Sequence, residues 1–188
     1  MNHKKLTHKE IFSIPNLMSY LRILLIPVFC YLYVTAETRK DIWIVAAIVL
    51  FSSLTDLLDG FVARHFHMIT ELGKVLDPVA DKLTHAALAF CLAYRYPLMW
   101  ALIILMAVKE GYMAFMGLYF LKKGEMLDGA MWFGKICTTI LFIGMLILFL
   151  GFHLPPIFTN GLIVIMMVVM GITLCLYIPV FRKMKQKE

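Results

Sequence analysis

Six stretches of the chain read as nearly continuous apolar runs, at about residues 17–36, 42–60, 73–94, 97–121, 131–152 and 157–180. Each has the length that a helix needs to cross hydrocarbon, roughly 17–25 residues. The connections differ in character. ETRKD (37–41) is a short charged turn, and residues 61–72 carry Arg64, His65, His67 and Glu71. RYP (95–97) is a tight corner, and KKGEMLDG (122–129) is polar and glycine-bearing. GFHLPP (151–156) ends in prolines, which cannot continue a helix. The polar, basic start places Leu6, Ile11, Phe12 and Ile14 on one face of a short interfacial helix that Pro15 ends. No cleavage-site pattern precedes the first apolar run, so the start is not read as a cleavable signal.

The predicted fold class is therefore an all-α integral membrane protein. It is a bundle of six transmembrane helices with a short amino-terminal interfacial helix. The expected organisation is a cytoplasmic or interfacial segment over 1–15, a membrane domain over 16–181 and a basic tail over 182–188. No internal repeat or low-complexity linker interrupts it.

Composition excludes the other classes. Hydrophobic residues make up 62% of the 188 positions and charged residues 16%. A soluble domain carries about 45–50% and about 25%. A small soluble fold cannot hide that much apolar surface, and a disordered chain does not contain it. The net charge is +6, from 18 Lys+Arg against 12 Asp+Glu. In a membrane chain such an excess marks cytoplasmic loops and anionic lipid. No nucleic-acid motif is present, so membrane lipids and not nucleic acid are the expected partners. Cys30, Cys91, Cys137 and Cys175 lie far apart inside apolar runs without a C-x-x-C, and are read as packing residues.

Charge also sets orientation. Lys4, Lys5, Lys9, Arg64, Lys74, Lys122, Lys123, Lys135, Arg182, Lys183, Lys185 and Lys187 fall on one side of a six-span topology. Only Arg39, Lys40 and Arg95 fall on the other. The positive-inside rule then places both termini in the cytoplasm.

Against this background the carboxylates stand out. A charge at the bilayer centre costs about 2.5–3.5 kcal/mol on the insertion scale. Yet Asp56, Asp59, Asp77 and Asp81 sit at the cytoplasmic ends of the second and third runs. Asp56 and Asp59 are i,i+3 neighbours on one helix face. Gly73, Asp77 and Asp81 step by four and line one stripe. Two adjacent helices thus aim four carboxylates into one pocket. Left together they repel and raise one another's pKa, and hard divalent cations remove that repulsion. Two such ions suit displacement at phosphorus. The structural alternative is capping or ion pairing with Arg64, Lys74 and Lys82, but capping uses one acid and not a facing quartet. Gly60 and Gly73 permit close backbone approach, and Arg64 lies one turn past Gly60, where a guanidinium grips phosphate.

The full string is D-L-L-D-G-F-V-A-R, eight residues, G-K-V-L-D-P-V-A-D. It resembles the signature of the CDP-alcohol phosphatidyltransferases, D-x-x-D-G-x-x-A-R, eight residues, G-x-x-x-D-x-x-x-D, at all eight specified positions. The resemblance implies a metal-dependent enzyme of phospholipid biosynthesis. Such an enzyme moves a phosphatidyl group from CDP-diacylglycerol to an alcohol and releases CMP. It implies two divalent cations, Mg²⁺ or Mn²⁺, held by Asp56, Asp59 and Asp77 with help from Asp81, which also acts as general base. It implies that Gly60, Arg64 and Gly73 accommodate the cytidine diphosphate. It further implies a homodimer, a cytoplasmic active site and a home in a bacterial plasma membrane.

The acceptor alcohol is less legible. The start of span one, IPNLMSYLRILLIPV, resembles family members that make phosphatidylglycerophosphate and those that make cardiolipin. Asn16, Ser19 and Arg22 are spaced by three near the interface and are candidates for acceptor binding, with capping after Pro15 as the bland reading of the first two. Lys109 and Glu110 interrupt span four and match an Arg-Glu pair in members that make phosphatidylglycerophosphate; an ion pair between helices is the alternative. Lys135 and Thr138 open span five in G-K-I-C-T-T, where those members read G-K-x-K-T, so Cys137 replaces a cation. A further arginine expected after Lys109 is absent around Gly117. The expected acceptor is glycerol-3-phosphate, and the alternative is phosphatidylglycerol, giving cardiolipin. His65 and His67 read as surface residues, and His85, one turn past Asp81, as a possible support for it. A small transporter is the rival from another class. It would place its acids near mid-membrane, among broken or repeated helices, not at one interface.

Overall fold

A computed structural model describes residues 12–65, 70, 72–122, 131–151 and 154–186, without the side chains at 57, 59–64, 74, 185 and 186. Among the described residues there are six helices, α1 (Ile14–Val34), α2 (Arg39–His65), α3 (Gly73–Arg95), α4 (Met99–Lys122), α5 (Trp132–Leu150) and α6 (Pro156–Gln186). No strand occurs among the described residues. The expected interfacial helix falls mostly on residues 1–11, outside the described residues; Phe12 and Ser13 lead directly into α1.

Among the described residues, four helices are long and apolar enough to cross a membrane: Ile14–Val34, Met99–Lys122, Trp132–Leu150 and Pro156–Met184. Large apolar side chains such as Leu24, Tyr31, Trp43, Phe115 and Ile157 are exposed on the helix surfaces. That much outward apolar surface requires lipid as solvent, so the protein is an integral membrane protein. Thr55, Thr84, Thr159 and Thr173 each donate to a carbonyl three or four residues back, which satisfies their hydroxyls inside their own helices.

The chain forms two compact units, Met1–Cys91 and Leu92–Glu188. In the first, α1 packs against α2 in antiparallel fashion, burying Phe29, Tyr33, Ile42, Val45, Ala46 and Val49. α1 starts at Ile14, earlier than the apolar run indicates, because Pro15 fits the first turn, where its missing N–H has no partner to lose. The turn into α2 is a reciprocal cap. Asp41 Oδ2 accepts from the Thr38 N–H at 2.8 Å, while the Asp41 N–H donates to Thr38 Oγ1 at 3.3 Å.

In the second unit α6 packs against both α4 and α5. Phe120, Tyr177 and Phe181 form a buried aromatic cluster joined by Tyr112 and Phe133. Gly134 lets α5 approach this cluster: a Cβ there would lie 2.2 Å from the Tyr177 hydroxyl. Tyr96 donates its hydroxyl to the Gly151 carbonyl at 3.1 Å, satisfying a backbone oxygen at the end of α5. α6 continues past the expected boundary at 181, and its last turns carry the exposed Arg182 and Lys183.

Candidate active site

The site is assembled by α1, through the residues spaced by three. Asn16 and Ser19 are fully buried, and Arg22 is 2% exposed. Their partners are the positions spaced by four on α3, so the two helices run in the same direction.

The first contact is at the start of α3. Thr70 Oγ1 accepts from the Gly73 N–H at 2.9 Å, an N-terminal cap, and donates to Asn16 Oδ1 at 3.2 Å. Gly73 leaves room for this contact, because a Cβ there would lie 2.8 Å from Asn16 Oδ1 and 3.0 Å from Thr70 Oγ1 and force a shift. The space beside Gly73 is therefore filled by α1. One turn on, Ser19 Oγ donates to Asp77 Oδ1 at 2.5 Å. One turn further, Arg22 Nη1 donates to Asp81 Oδ1. The same guanidinium reaches across to α2, with Nη2 at 2.6 Å from Asp56 Oδ1.

Arg22 thus ties two of the four aspartates together from beneath. It is buried, while the Asp56 and Asp81 side chains remain 38% and 44% exposed. An unpaired buried charge costs several kcal/mol, so burial of the guanidinium rests on both carboxylates. A cation that relieves their repulsion thus comes from another helix, Arg22 of α1. Asp59 lies in α2 at i+3 from Asp56, and Gly60 and Arg64 follow it in the same helix; their side chains are outside the described residues. His85 is half-buried on α3, and His65 is exposed at the end of α2. Thr70 was not singled out by the sequence. A threonine three residues before the first glycine of a helical stripe is the capping signal that marks it.

The donor set fits a hard divalent cation. Asp56, Asp77 and Asp81 offer carboxylate oxygen only, two of them already share one positive group, and both remain partly exposed. Among the described residues, which do not include the Asp59 side chain, no three His, Cys, Asp or Glu side chains gather at coordinating distance.

The second unit holds the remaining candidates. Lys109 is buried in α4 and pairs with its own neighbour Glu110, Nζ to Oε1 at 2.9 Å. Lys135 is exposed on α5. Thr138 donates to the Gly134 carbonyl at 2.7 Å, and Cys137 is fully buried.

Membrane-crossing helices and two aspartates from different helices tied by one arginine define the class: an integral membrane protein with carboxylates gathered between its helices. The chain belongs to the CDP-alcohol phosphatidyltransferase family, whose model matches residues 12–178. It is 34% identical over 141 residues to a CDP-diacylglycerol–glycerol-3-phosphate 3-phosphatidyltransferase of Pectobacterium atrosepticum, covering 68% of this chain and 71% of that one. It is 38% identical over 88 residues to the protein of the same name in Pseudomonas fluorescens, covering 47% of this chain and 45% of that one. It is 40% identical over 87 residues to a cardiolipin synthase (CMP-forming) / mitochondrial hydrolase fusion protein of Schizosaccharomyces pombe, covering 46% of this chain but 14% of the fusion.

Proposed function

We propose that the protein transfers a phosphatidyl group from CDP-diacylglycerol to glycerol-3-phosphate, giving phosphatidylglycerophosphate and CMP. The observation that carries this reading is the meeting of Asp56 and Asp81 at one guanidinium, within a string that matches the family signature at every specified position. The acceptor hydroxyl attacks the phosphorus that bears the diacylglycerol, the P–O bond to CMP breaks, and Asp81 takes the hydroxyl proton. Two divalent cations, Mg²⁺ or Mn²⁺, held by Asp56, Asp59, Asp77 and Asp81, would supply charge neutralisation for the pyrophosphate and its leaving group. Gly60, Arg64 and Gly73 border the cytidine diphosphate. Lys109, Glu110, Lys135 and Thr138 are the acceptor candidates of the second unit.

The same reading has six spans, with α2 and α3 counted in addition to the four apolar helices. It has both termini and the aspartates on the cytoplasmic side, by the distribution of Lys and Arg. It treats the protein as a homodimer over a membrane domain of 16–181.

A second acceptor is favoured by one observation. Cys137 is buried where relatives that make phosphatidylglycerophosphate carry a cation, which leaves less positive charge for an acceptor phosphate. Phosphatidylglycerol, with a single charge, asks less of such a site, and its product is cardiolipin. Purified protein given CDP-diacylglycerol with each acceptor in turn, with the lipid product identified by mass, tests both. Phosphatidylglycerophosphate supports the first reading. Cardiolipin without any use of glycerol-3-phosphate overturns it in favour of the second.

A further inference from the structure

The contacts of α1 go beyond what an acceptor subsite requires. Arg22 is 2% exposed, while the two acids it holds are 38% and 44% exposed. It bridges two different helices, donating from Nη1 to α3 and from Nη2 to α2. Ser19 and Asn16 hold α3 at the two preceding turns. A residue whose task is to take up an arriving phosphate presents its guanidinium outward. This one presents it to Asp56 and Asp81.

We propose that Arg22 is a positioning residue, the resident cation of the acidic cluster, which holds Asp56 and Asp81 together before a divalent cation arrives and competes with that cation for their oxygens. The physical reason is charge. Two carboxylates brought to one point repel, and a buried monovalent guanidinium offsets that repulsion in the metal-free protein. A divalent ion on the same carboxylates does so more strongly, and meets Arg22 as a like charge close by. Arg22 therefore stabilises the metal-free cluster and weakens its hold on metal, so that the ion enters an assembled site without being trapped in it. This inference rests on the proposed function only for the expectation that the cluster takes a divalent cation.

The test uses the full chain in detergent, without lipid substrate, in EDTA and with Mn²⁺. In Arg22→Gln the metal-free Tm is expected to fall, the Mn²⁺-induced rise in Tm to exceed that of wild type, and Mn²⁺ to bind at least roughly fivefold more tightly. Arg22→Lys keeps a cation but cannot bridge two helices through two nitrogens. Its Mn²⁺-induced rise is expected between those of wild type and Arg22→Gln, and it carries the test if Arg22→Gln does not fold. A drop in Tm of equal size with and without Mn²⁺ makes Arg22 a structural brace and overturns the proposal. So does a wild-type Tm and Mn²⁺ affinity with only the acceptor KM raised. Wild type that binds no Mn²⁺ overturns both this proposal and the metal reading, whereas wild type that binds it with the variants unchanged overturns this one alone. Failure of CMP release with either acceptor leaves it standing.

Discussion

Ser19 on α1 donates its hydroxyl to Asp77 Oδ1 on α3, and the two residues are 58 positions apart in the chain. A hydrogen bond to a charged group contributes about 1.5–3 kcal/mol. Ser19→Ala is therefore expected to lower the Tm and to reduce CMP release through kcat, since Ser19 acts through Asp77. Steady-state kinetics decide the point. An acceptor KM raised with kcat unchanged would instead make Ser19 part of the acceptor site.

Gly73→Ala is expected to destabilise the protein by about 1–3 kcal/mol, the usual range for an overpacked contact. Its Cβ would press on Asn16 Oδ1 and Thr70 Oγ1. Asn16→Ala removes the nearer obstacle, so the double variant is expected to recover part of the loss. Thermal unfolding of the two single variants and the double closes the cycle, and additive losses would show that the clash is relieved elsewhere.

Removal of metal and removal of its ligands are expected to act alike. EDTA is expected to stop CMP release, and Asp56→Asn, Asp59→Asn and Asp77→Asn to cause large losses that added CDP-diacylglycerol does not restore. Asp81→Asn is expected to lower transfer by about 10²–10⁴-fold, the scale of a lost general base, while much of the CDP-diacylglycerol binding survives. Radiolabelled CMP release and nucleotide binding, measured side by side, separate the roles. Loss of binding in parallel with turnover would make Asp81 chiefly a ligand.

Asp41 gives a pH-dependent expectation. The Thr38 hydroxyl, the Thr38 N–H and the Glu37 N–H all donate to its carboxylate and hold its pKa below the ordinary value, with slight desolvation opposing. The folded value thus lies below the unfolded one of about 3.9. The stabilisation is present above that pH and is lost as pH falls through the lower folded value. Asp41→Asn is expected to have a lower Tm than wild type at neutral pH and a smaller further loss below about pH 4. Melting curves across that range check it; a constant difference would mean that the cap is not titrating.

The apolar runs were enough to place six helices, because lipid leaves a chain little choice but to satisfy its backbone within each segment. Their ends were read less well. Pro15 looked like a breaker but sits inside the first turn of α1, and the basic residues after 181 looked like a loose tail but extend α6. The aspartates were legible because a fixed spacing places them on one face of each helix. Their partner was not. Spacing tells which residues of one helix point together, not which other helix they meet. Arg22 was read from its place in the apolar run as a candidate for acceptor binding, and nothing in the spacing pointed to the two carboxylates it meets. Thr70 was overlooked for the same reason, since its hydroxyl serves both its own helix and Asn16.

The three contacts between α1 and α3 pair a row of every third residue with a row of every fourth. The steps also differ in length. Asn16 to Arg22 rises about 9 Å and Gly73 to Asp81 about 12 Å, so a mismatch of about 3 Å has accumulated by the third pair. The long side chain of arginine spans that gap, where serine or asparagine could not. At a fourth pair the mismatch would reach about 4.5 Å, and Leu25 stands at that step of α1. The two rows behave as a vernier whose marks coincide over a limited span, and the reach of Arg22 extends that span by one step.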